Sequence, residues 1–548
     1  MTTYNGNRIF EGYALAKIVV YKKKEAVVRA SGQGTDKEFE RFEKAREETV
    51  EALNKSYNAA LIKLGQKEAQ LFETHKLLAE DLDFEDEVRA NLEENVTAEY
   101  AVTAAGDALA AIFSAMDDPY MRARSADVKE VAERIVSFLK KETQGTVINE
   151  PSILVCEDLP SSELMKFDAK LVKGIVFTKG SSNSHVAILT RMLEIPALCG
   201  LDLKVDESLN NHFGIIDGTK ADFIVDPDSK TITKYSKLKS EYEANKELLK
   251  RFIGKETLTQ DGKKTKIYCN IASSFEVENA LKNDAEGIGL FRSEFIYLES
   301  SDYPSEDEQF EHYKRVVEAM NGKEVIIRTL DIGADKKIDY FNLPDEENPA
   351  LGWRSIRICK DRPDIFLTQL QALYRASAYG NLAIMVPMII SSSEIKFIHQ
   401  MCEMAKENLA SRGLPFNKDL RVGIMVETPA AAIMSDQFAK DVSFFSVGTN
   451  DLSQYTLAID RVNPNLASSF NPHHKAILRL IKMSCENAHK AGIPIGICGE
   501  LGRDPKLLPF FLKIGIDELS VSPTYVLSLR EQISHIDTTK VKVEDYID

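Results

Sequence analysis

Eight short apolar runs, separated by helix-like stretches, fill the chain from about residue 260 onward. The runs are KIYCNIA, GIGLFRSEF, VIIRTLDI, LAIMVPMI, VGIMVET, FFSVGTNDL, PIGICGE and DELSVSP. Runs of this kind, rich in β-branched residues, are typical of buried parallel strands, and strands that alternate with helices belong to α/β folds. Eight such units in nearly 300 residues predict a closed (β/α)₈ barrel.

The first half of the chain has a different sequence pattern. Residues 35–142 are dominated by apolar positions at three- and four-residue spacing, which predicts a helical bundle. From about residue 145, short strand-like runs such as SILVCEDL and KGIVFTKG follow, and the early run ALAKIVVYKK can join the same sheet. The bundle would then be an insertion in a small α/β domain. The predicted domains are 1–34 plus 143–230 (α/β), 35–142 (inserted bundle), 231–258 (linker helix) and 259–548 (barrel).

Composition excludes several classes of protein. No apolar run approaches the ~20 residues needed to cross a bilayer. The seven cysteines include no C-x-x-C pair, which argues for free thiols in a reducing compartment. A formal net charge of -16 without a strongly basic tract argues against nucleic-acid binding. We therefore expect a soluble, cytoplasmic protein.

Polar side chains at the carboxyl ends of the predicted strands indicate the chemistry of the barrel. Active sites of such barrels lie at this end. Arginines grip phosphate and carboxylate groups, and paired carboxylates suit Mg²⁺. A structural ion pair is the better reading of any one arginine, but the set favours a small, anionic, phosphorylated substrate. The set comprises Arg292, Arg328, Glu427, Asn450, Asp451 and Arg461.

Two further residues have both a chemical and a structural reading. Cys498, in GICGE, is either a small buried hydrophobe or a thiol that acts as a general acid. His185 ends the Gly/Ser/Asn run of TKGSSNSHVAILTRM, where an apolar helical pattern begins. It is either part of a capping turn or a nucleophile, kept neutral by the helix dipole, that carries a phosphoryl group.

Several segments resemble, in order and spacing, one family. GIGLFRSEF, RTLDIGADK, NPALGWRSIR, MVETPAAA, FFSVGTNDLSQYTLAIDR and GICGE are similar to the C-terminal domain of Enzyme I, the phosphoenolpyruvate–protein phosphotransferase of the bacterial sugar phosphotransferase system. SHVAILTRMLEIPALCG resembles its phosphohistidine segment, and LFETHKLLAEDL its helical subdomain. The resemblance covers essentially the whole chain.

The resemblance implies a role for each of these residues. His185 would be phosphorylated by phosphoenolpyruvate and would pass the phosphoryl group to the phosphocarrier protein HPr, and Cys498 would protonate the enolpyruvate carbon. Glu427 and Asp451 would hold Mg²⁺. The helical insertion, including the acidic turn at residues 79–87 and His75, would dock HPr, and the barrel would form a homodimer. The residues implied to bind phosphoenolpyruvate are Arg292, Arg328, Asn450, Asp451, Arg461, Lys336 and Arg354.

One departure and two alternatives stay open. The family usually has Gly-Gly-Arg-Thr before its Ser-His pair, whereas this chain has Gly180, Ser181, Ser182 and Asn183. A dikinase or synthase of the same superfamily is one alternative, although the chain has no G-x-x-x-x-G-K-[ST] loop. A phosphoenolpyruvate-sensing regulator is the other, but such a sensor has no need of Cys498 as an acid. Because donor pocket and nucleophile fall in different domains, residues 230–260 are expected to act as a hinge.

Overall fold

The computed structural model describes most of the chain. The described residues are 1–21, 27–63, 66–114, 119–140, 148–159, 161–164, 167–168, 170–179, 185–300, 302–333, 338–461, 463–466 and 468–548. They form two compact units, Met1–Tyr242 and Glu243–Asp548. No described helix is both long enough and apolar enough to span a membrane.

The first unit contains an eight-stranded mixed sheet. Its strands are β1 (Thr2–Asn5), β2 (Asn7–Phe10), β3 (Tyr13–Tyr21), β4 (Ser152–Cys156), β5 (Val172–Phe177), β6 (Ala197–Cys199), β7 (Phe213–Asp217) and β8 (Asp222–Val225), in the order β1-β8-β7-β3-β4-β5-β6-β2. Strands β3 to β6 run parallel, and the other pairings are antiparallel. The strand β3 contains the run ALAKIVVY, so the early run does join this sheet.

A helical bundle is inserted between β3 and β4, as predicted. Its helices are α1 (Thr35–Lys63), α2 (Gln66–Ala79), α3 (Leu82–Leu92), α4 (Ala98–Ser114) and α5 (Pro119–Leu139). The bundle has its own apolar core, in which Phe42, Val88 and Ile135 are fully buried. The unit also contains α6 (Ser161–Leu164) and α7 (His185–Met192), and α8 (Ser229–Leu249) runs from it into the second unit.

The second unit is a closed barrel of eight parallel strands, which confirms the predicted fold class. The strands, β9 to β16 in chain order, are Lys266–Ile271, Gly287–Arg292, Glu324–Arg328, Leu382–Val386, Arg421–Val426, Phe445–Val447, Ile495–Ile497 and Glu518–Val521. Each pairs with the next along the chain, and β16 closes on β9. Each strand coincides with one of the eight predicted runs, although β11 and β13 begin one residue before theirs.

Helices surround the barrel and complete its core. They are α9 (Val277–Lys282), α10 (Glu294–Glu299), α11 (Glu306–Ala319), α12 (Ile356–Asp361), α13 (Pro363–Ala376), α14 (Ser392–Ser411), α15 (Pro429–Ile433), α16 (Ser435–Phe438), α17 (Thr449–Leu457), α18 (Lys475–Ala491), α19 (Leu508–Ile514), α20 (Val526–Ser534) and α21 (Glu544–Ile547). Outward strand side chains such as Ile327 and Ile497 pack against these helices in one large cluster. Alternate side chains face the interior, where Ile326, Met385 and Phe444 belong to a separate apolar cluster.

Candidate functional site

Two arginines lie side by side at the carboxyl end of the barrel. Arg292 is the last residue of β10 and Arg328 the last of β11, and the strand register places them opposite each other. The Nε of Arg292 is buried without a hydrogen-bond partner among the described residues, and its guanidinium lies 5.2 Å from the centre of the Phe295 ring. The Nε of Arg328 is likewise buried without such a partner, so the pair presents two cations that each have an uncommitted donor.

Buried carboxylates hold the second of these cations. Arg328 Nη2 lies 2.5 Å from Glu294 Oε1 and 3.0 Å from Asp331 Oδ2. Burial alone would lower the pKa of Arg328, but the charges of Asp331 and Glu294 outweigh it and raise that pKa. The guanidinium is thus charged and firmly oriented although it is only 6% exposed.

Asp331 also joins Arg354 to the same cluster. Arg354 Nη2 lies 2.9 Å from Asp331 Oδ1, and Arg354 Nη1 donates to the Tyr455 hydroxyl at 3.1 Å and lies 3.7 Å from Asp451 Oδ1. The Ser355 hydroxyl donates to Asp331 Oδ1 at 2.7 Å. One carboxylate thereby orients two buried arginines.

Glu427 follows β13 directly and is completely buried. Its Oε1 accepts the Met388 backbone N–H at 2.7 Å, whereas its Oε2 has no hydrogen-bond partner in the described part of the chain. Burial, together with the neighbouring charges of Asp451 and Asp331, raises the pKa of Glu427 to about 8. Glu427 is therefore a carboxyl group with one uncommitted oxygen close to a second acid, and a bound cation would favour its ionised form.

Asn450 and Asp451 lie in the first turn of α17 rather than at a strand end. The Asn450 side-chain oxygen accepts the Glu500 backbone N–H at 3.2 Å, which ties α17 to the segment after β15. The Asp451 carboxylate is 14% exposed.

Glu427 and Asp451 fit a divalent cation. An uncommitted buried carboxylate oxygen beside a second carboxylate is the donor set that Mg²⁺ uses when substrate and water complete its shell. Within the described residues no cluster of three or more His, Cys, Asp or Glu side chains could hold a metal alone. The site therefore fits an ion that also depends on ligands from the substrate.

Cys498 follows β15 and faces the barrel interior among Leu290, Met385 and Met425. The thiol is 5% exposed and donates to the Val447 carbonyl over 3.6 Å. Burial chiefly raises the pKa of Cys498, to about 12. The side chain is therefore a thiol, not a thiolate, at neutral pH, which suits a proton donor.

The structure does not gather every predicted residue into this cluster. Arg461 is exposed after α17, and its backbone N–H donates to the Gln454 side-chain oxygen at 3.2 Å. Lys336 lies outside the described residues. The cluster that the structure brings together is Arg292, Arg328, Arg354, Glu427, Asp451 and Cys498, with Asn450 beside it.

His185 is the first residue of α7, between the parallel strands β5 and β6. Its side chain is not among those described, and neither are residues 180–184, so the effect of Ser182 and Asn183 stays a question of sequence. The helix itself continues with a buried Val186, and Lys179 before it pairs with Glu157 at 2.7 Å. A helix does begin at the predicted nucleophile.

The helical bundle exposes apolar side chains beside acidic ones. Leu77 at the end of α2 is 63% exposed, Leu82 at the start of α3 is 73% exposed, and Ile112 in α4 is 55% exposed. Asp81, the N-cap of α3, and Asp83, in its first turn, are exposed at the junction of α2 and α3. We call these five residues the bundle patch.

His75 does not belong to the bundle patch, contrary to the expectation from sequence. It is 1% exposed, and its Nε2 lies 3.3 Å from Asp127 Oδ1. Its ring is a core group that links α2 to α5, so it cannot contact a docking partner directly.

Sequence reasoning missed Glu294 and Asp331, the acids that orient the arginines. Both follow closely on a strand-end arginine: Glu294 is two residues after Arg292 and Asp331 three after Arg328. A carboxylate this close to a strand-end arginine was the available signal.

Three family models match: "PEP-utilising enzyme, N-terminal" over residues 5–124, "PEP-utilising enzyme, mobile domain" over 148–221, and "PEP-utilising enzyme, PEP-binding domain" over 246–538. The curated relatives include the phosphoenolpyruvate-protein phosphotransferase of Bacillus sp. (strain S), which is 40% identical over 97% of this chain and 93% of its own length.

The corresponding protein of Bacillus subtilis (strain 168) is 39% identical over 96% of this chain and 93% of its own length. A solution structure of Enzyme I (nEIt) is 28% identical and covers 44% of this chain and 99% of its own, with a TM-score of 0.38 that adds nothing to the assignment. The identities over nearly the whole length are decisive. The chain belongs to the phosphoenolpyruvate–protein phosphotransferase family, Enzyme I of the phosphotransferase system.

Proposed function

We propose that this protein takes the phosphoryl group of phosphoenolpyruvate onto His185 and passes it to the phosphocarrier protein HPr, releasing pyruvate. This is the first step of phosphotransferase-system sugar uptake. Phosphoryl transfer from phosphoenolpyruvate to a nitrogenous group of a protein is the activity of the family to which the chain belongs. The single observation that carries the proposal is the fixed pair Arg292 and Arg328 at the carboxyl end of the barrel.

Phosphoenolpyruvate brings a phosphate and a carboxylate, and the cluster offers matching cations. Arg292 has an uncommitted Nε, and the Nε atoms of Arg328 and Arg354 are also buried without a hydrogen-bond partner in the described chain. Guanidinium groups held in place before the substrate arrives stabilise charge on a transferring phosphoryl group without reorganising. We assign substrate binding to these three, to Asn450 and Asp451, and, from the resemblance, to Arg461 and Lys336.

Glu427 and Asp451 would hold Mg²⁺, which when bound neutralises charge on the phosphoryl oxygens. The uncommitted Glu427 Oε2 supports this assignment.

Cys498 is assigned the role of the general acid that protonates the enolate carbon. Loss of the phosphoryl group leaves an enolate whose methylene carbon must gain a proton to become pyruvate. The buried thiol carries such a proton at neutral pH, since its pKa is raised to about 12. The S–H bond breaks, a C–H bond forms, and a thiolate remains.

His185 is assigned the role of nucleophile because it opens α7, where backbone N–H groups and the helix dipole favour a neutral ring and an anionic product. His185 and the arginines belong to different units, so the reaction requires His185 to reach the barrel pocket. We propose residues 231–258, which include most of α8, as the hinge between the domains 1–34 plus 143–230 and 259–548.

The bundle patch is proposed as the HPr docking surface, within the helical domain 35–142. Exposed leucines beside Asp81 and Asp83 suit a small partner with an apolar and basic face. The resemblance further supports a homodimer formed through the barrel. The seven free, buried cysteines support a reducing, cytoplasmic setting.

The proposal is tested with phosphoenolpyruvate labelled at phosphorus, Mg²⁺ and the purified chain, with peptide mapping of the product. We expect acid-labile label on the peptide that contains His185, and its transfer to added HPr. A His185→Gln variant should remain unlabelled, and His75→Gln is the matched histidine control that should label normally if it folds. Label on another residue, or label on His185→Gln, would show that His185 is not the carrier.

A further inference from the structure

The barrel interior has an apolar wall and a polar wall. Ile326, Met385, Met425 and Phe444 belong to the apolar cluster, which also contains Cys498. Barrel interiors are usually filled throughout by bulky branched side chains. Here β9 and β16 instead direct amide, hydroxyl and carboxyl groups inward. These groups belong to Asn270, Glu518 and Ser520, whose strand neighbours Cys269, Ile271, Leu519 and Val521 pack outward.

Glu518 sits in a space left by two glycines. A Cβ added at Gly289 of β10 would collide with Glu518 Oε1 and Ser520 Oγ, and a Cβ at Gly496 of β15 would collide with Glu518 Oε2. The Glu518 carboxyl is therefore enclosed by backbone on two sides, and it is 8% exposed. Only residues without a side chain at positions 289 and 496 leave room for it.

Three oxygens along this wall are buried without a hydrogen-bond partner in the described chain: Asn270 Oδ1, Glu518 Oε1 and Ser520 Oγ. Buried polar groups in folded proteins are nearly always satisfied, and internal water is the usual partner where protein groups do not serve. Asn270 also donates through Nδ2 to the Cys498 carbonyl at 2.9 Å and to the Ser520 carbonyl at 3.2 Å. Polar groups thus extend from Glu518 along the wall to the backbone of Cys498.

The other end of this wall meets an open cleft at the amino ends of the strands. The cleft holds about 480 Å³ and is opposite the arginine cluster. Its lining residues are Lys266, Tyr268, Glu286, Gly322, Lys323, Glu324, Asn381 and Arg421. Lys266 is paired in register with Glu518 across β9 and β16, so the carboxyl lies between the cleft and the interior.

Glu518 and Cys498 are electrostatically linked. The negative charge of Glu518 raises the pKa of Cys498. Only burial, which raises this pKa, and the neighbouring Ser446 hydroxyl, which lowers it, have larger effects. Burial raises the pKa of Glu518 itself to about 8, with Lys266 opposing and Asp517 adding to the shift. The titratable groups that face Glu518 are Lys266 and Tyr268 of β9, Asp517 beside it and Cys498. A carboxyl in this setting carries a proton at neutral pH.

We propose that Glu518 returns the proton to Cys498 after each turnover, through water held between Ser520 and Asn270, and that Glu518 is itself reloaded from the cleft at the opposite end of the barrel. This inference rests on the proposed function, in which Cys498 gives its proton to the enolate. Substrate covers the arginine side of the thiol at that moment. A proton that arrives from the Glu518 side lets the substrate pocket stay closed to water.

The steps balance. Cys498 loses its proton to the enolate carbon and becomes a thiolate. The O–H bond of the Glu518 carboxyl then breaks as the intervening waters and the Ser520 hydroxyl each pass one proton along, and an S–H bond forms. Finally the Glu518 carboxylate takes a proton from solvent in the cleft. No oxidant, reductant or co-reactant is needed.

The test is Glu518→Gln, which keeps the shape of the side chain but cannot release a proton. In rapid quench with phosphoenolpyruvate and Mg²⁺, the first equivalent of pyruvate should form at the wild-type rate, because Cys498 starts protonated. With excess HPr, the steady-state rate should fall at least about ten-fold, and its solvent deuterium isotope effect should rise. Glu518→Asp should restore part of the rate, and Ser520→Ala should give a smaller loss.

Glu394→Gln is the matched control, because Glu394 is a buried carboxylate of the same unit that caps α14 by accepting the backbone N–H groups of Ile390 and Ser391. It should show neither effect. A steady-state rate for Glu518→Gln within two-fold of wild type, or an equal loss in the first turnover and the steady state, would overturn the proposal. A wild-type protein that takes no label on His185 would instead overturn the proposed function, which the labelling experiment reports separately.

Discussion

Replacing Asp331 by Asn removes the charge that orients two buried arginines while keeping the shape of the side chain. Asp331 lies 3.0 Å from Arg328 Nη2 and 2.9 Å from Arg354 Nη2. At an effective dielectric constant of ~20, each such pair attracts by about 5 kcal/mol before the cost of burial is subtracted. Arg328 would retain Glu294, but Arg354 would keep only the Tyr455 hydroxyl, at 3.1 Å, and the more distant charge of Asp451, at 3.7 Å, among its described partners.

Removing one partner of a buried ion pair usually costs about 3–5 kcal/mol. Because Asn can still accept hydrogen bonds from Ser355 and from one arginine, we expect the free energy of unfolding of the barrel unit to fall by about 3 kcal/mol. The KM for phosphoenolpyruvate should rise at least about ten-fold, since both guanidinium groups lose their fixed positions.

A single tryptophan allows the unfolding of the barrel unit to be measured by fluorescence. Trp353 is the only tryptophan, and it lies in the barrel unit next to Arg354. Urea denaturation followed by its fluorescence therefore reports the barrel separately from the first unit.

Asp364→Asn is the matched control, because Asp364 pairs with Arg362 at 3.1 Å but is 64% exposed. An exposed pair contributes little, so this change should cost less than about 1 kcal/mol. Equal losses in the two variants would refute the claim that Asp331 holds the arginine cluster together.

Three other changes test separate parts of the molecule. Glu518→Gln should abolish one pH dependence of the free energy of unfolding. The pKa of Glu518 is near its usual value in the unfolded chain and about 8 in the fold. The wild-type barrel should therefore lose up to about 4 kcal/mol of stability between pH 5 and pH 8 relative to the variant. Parallel stability curves in urea at pH 5, 6.5 and 8 would contradict this. Cys498→Ala should still exchange phosphoryl groups between His185 and HPr but form pyruvate at least about a hundred-fold more slowly; normal pyruvate formation would remove the thiol from the chemistry. Leu82→Asp in the bundle patch should slow transfer to HPr at least about ten-fold while labelling by phosphoenolpyruvate is unchanged. Met404→Asp, at an exposed residue of α14 in the second unit, should affect neither.

The sequence was sufficient to predict the barrel because its pattern is simple. Each of the eight strands is a buried run, and outward and inward positions alternate, so a residue such as Arg328 at the end of a run must lie at the carboxyl rim. The same reasoning placed Glu427 and Cys498 directly after their strands.

Positions in loops and inside the barrel were harder to predict. Arg354 lies far from any strand end, and only the family resemblance placed it near Arg328; the link through Asp331 depends on how two loops fold back. Glu518 is the first residue of its strand, a position where a charged residue usually indicates the exposed end of the strand. Its burial depends on glycines of two other strands. His75 looked like a surface residue because helical spacing does not say which neighbouring helix will cover a polar side chain.

The most direct test of the account is isotope exchange between pyruvate and phosphoenolpyruvate in the absence of HPr. If the phosphoryl group resides on the protein between two half-reactions, wild type with Mg²⁺ and labelled pyruvate should place label in phosphoenolpyruvate with no acceptor present, and His185→Gln should place none. Exchange that appears only when HPr is added would mean direct transfer between the substrates, and would contradict a phosphohistidine carrier at residue 185.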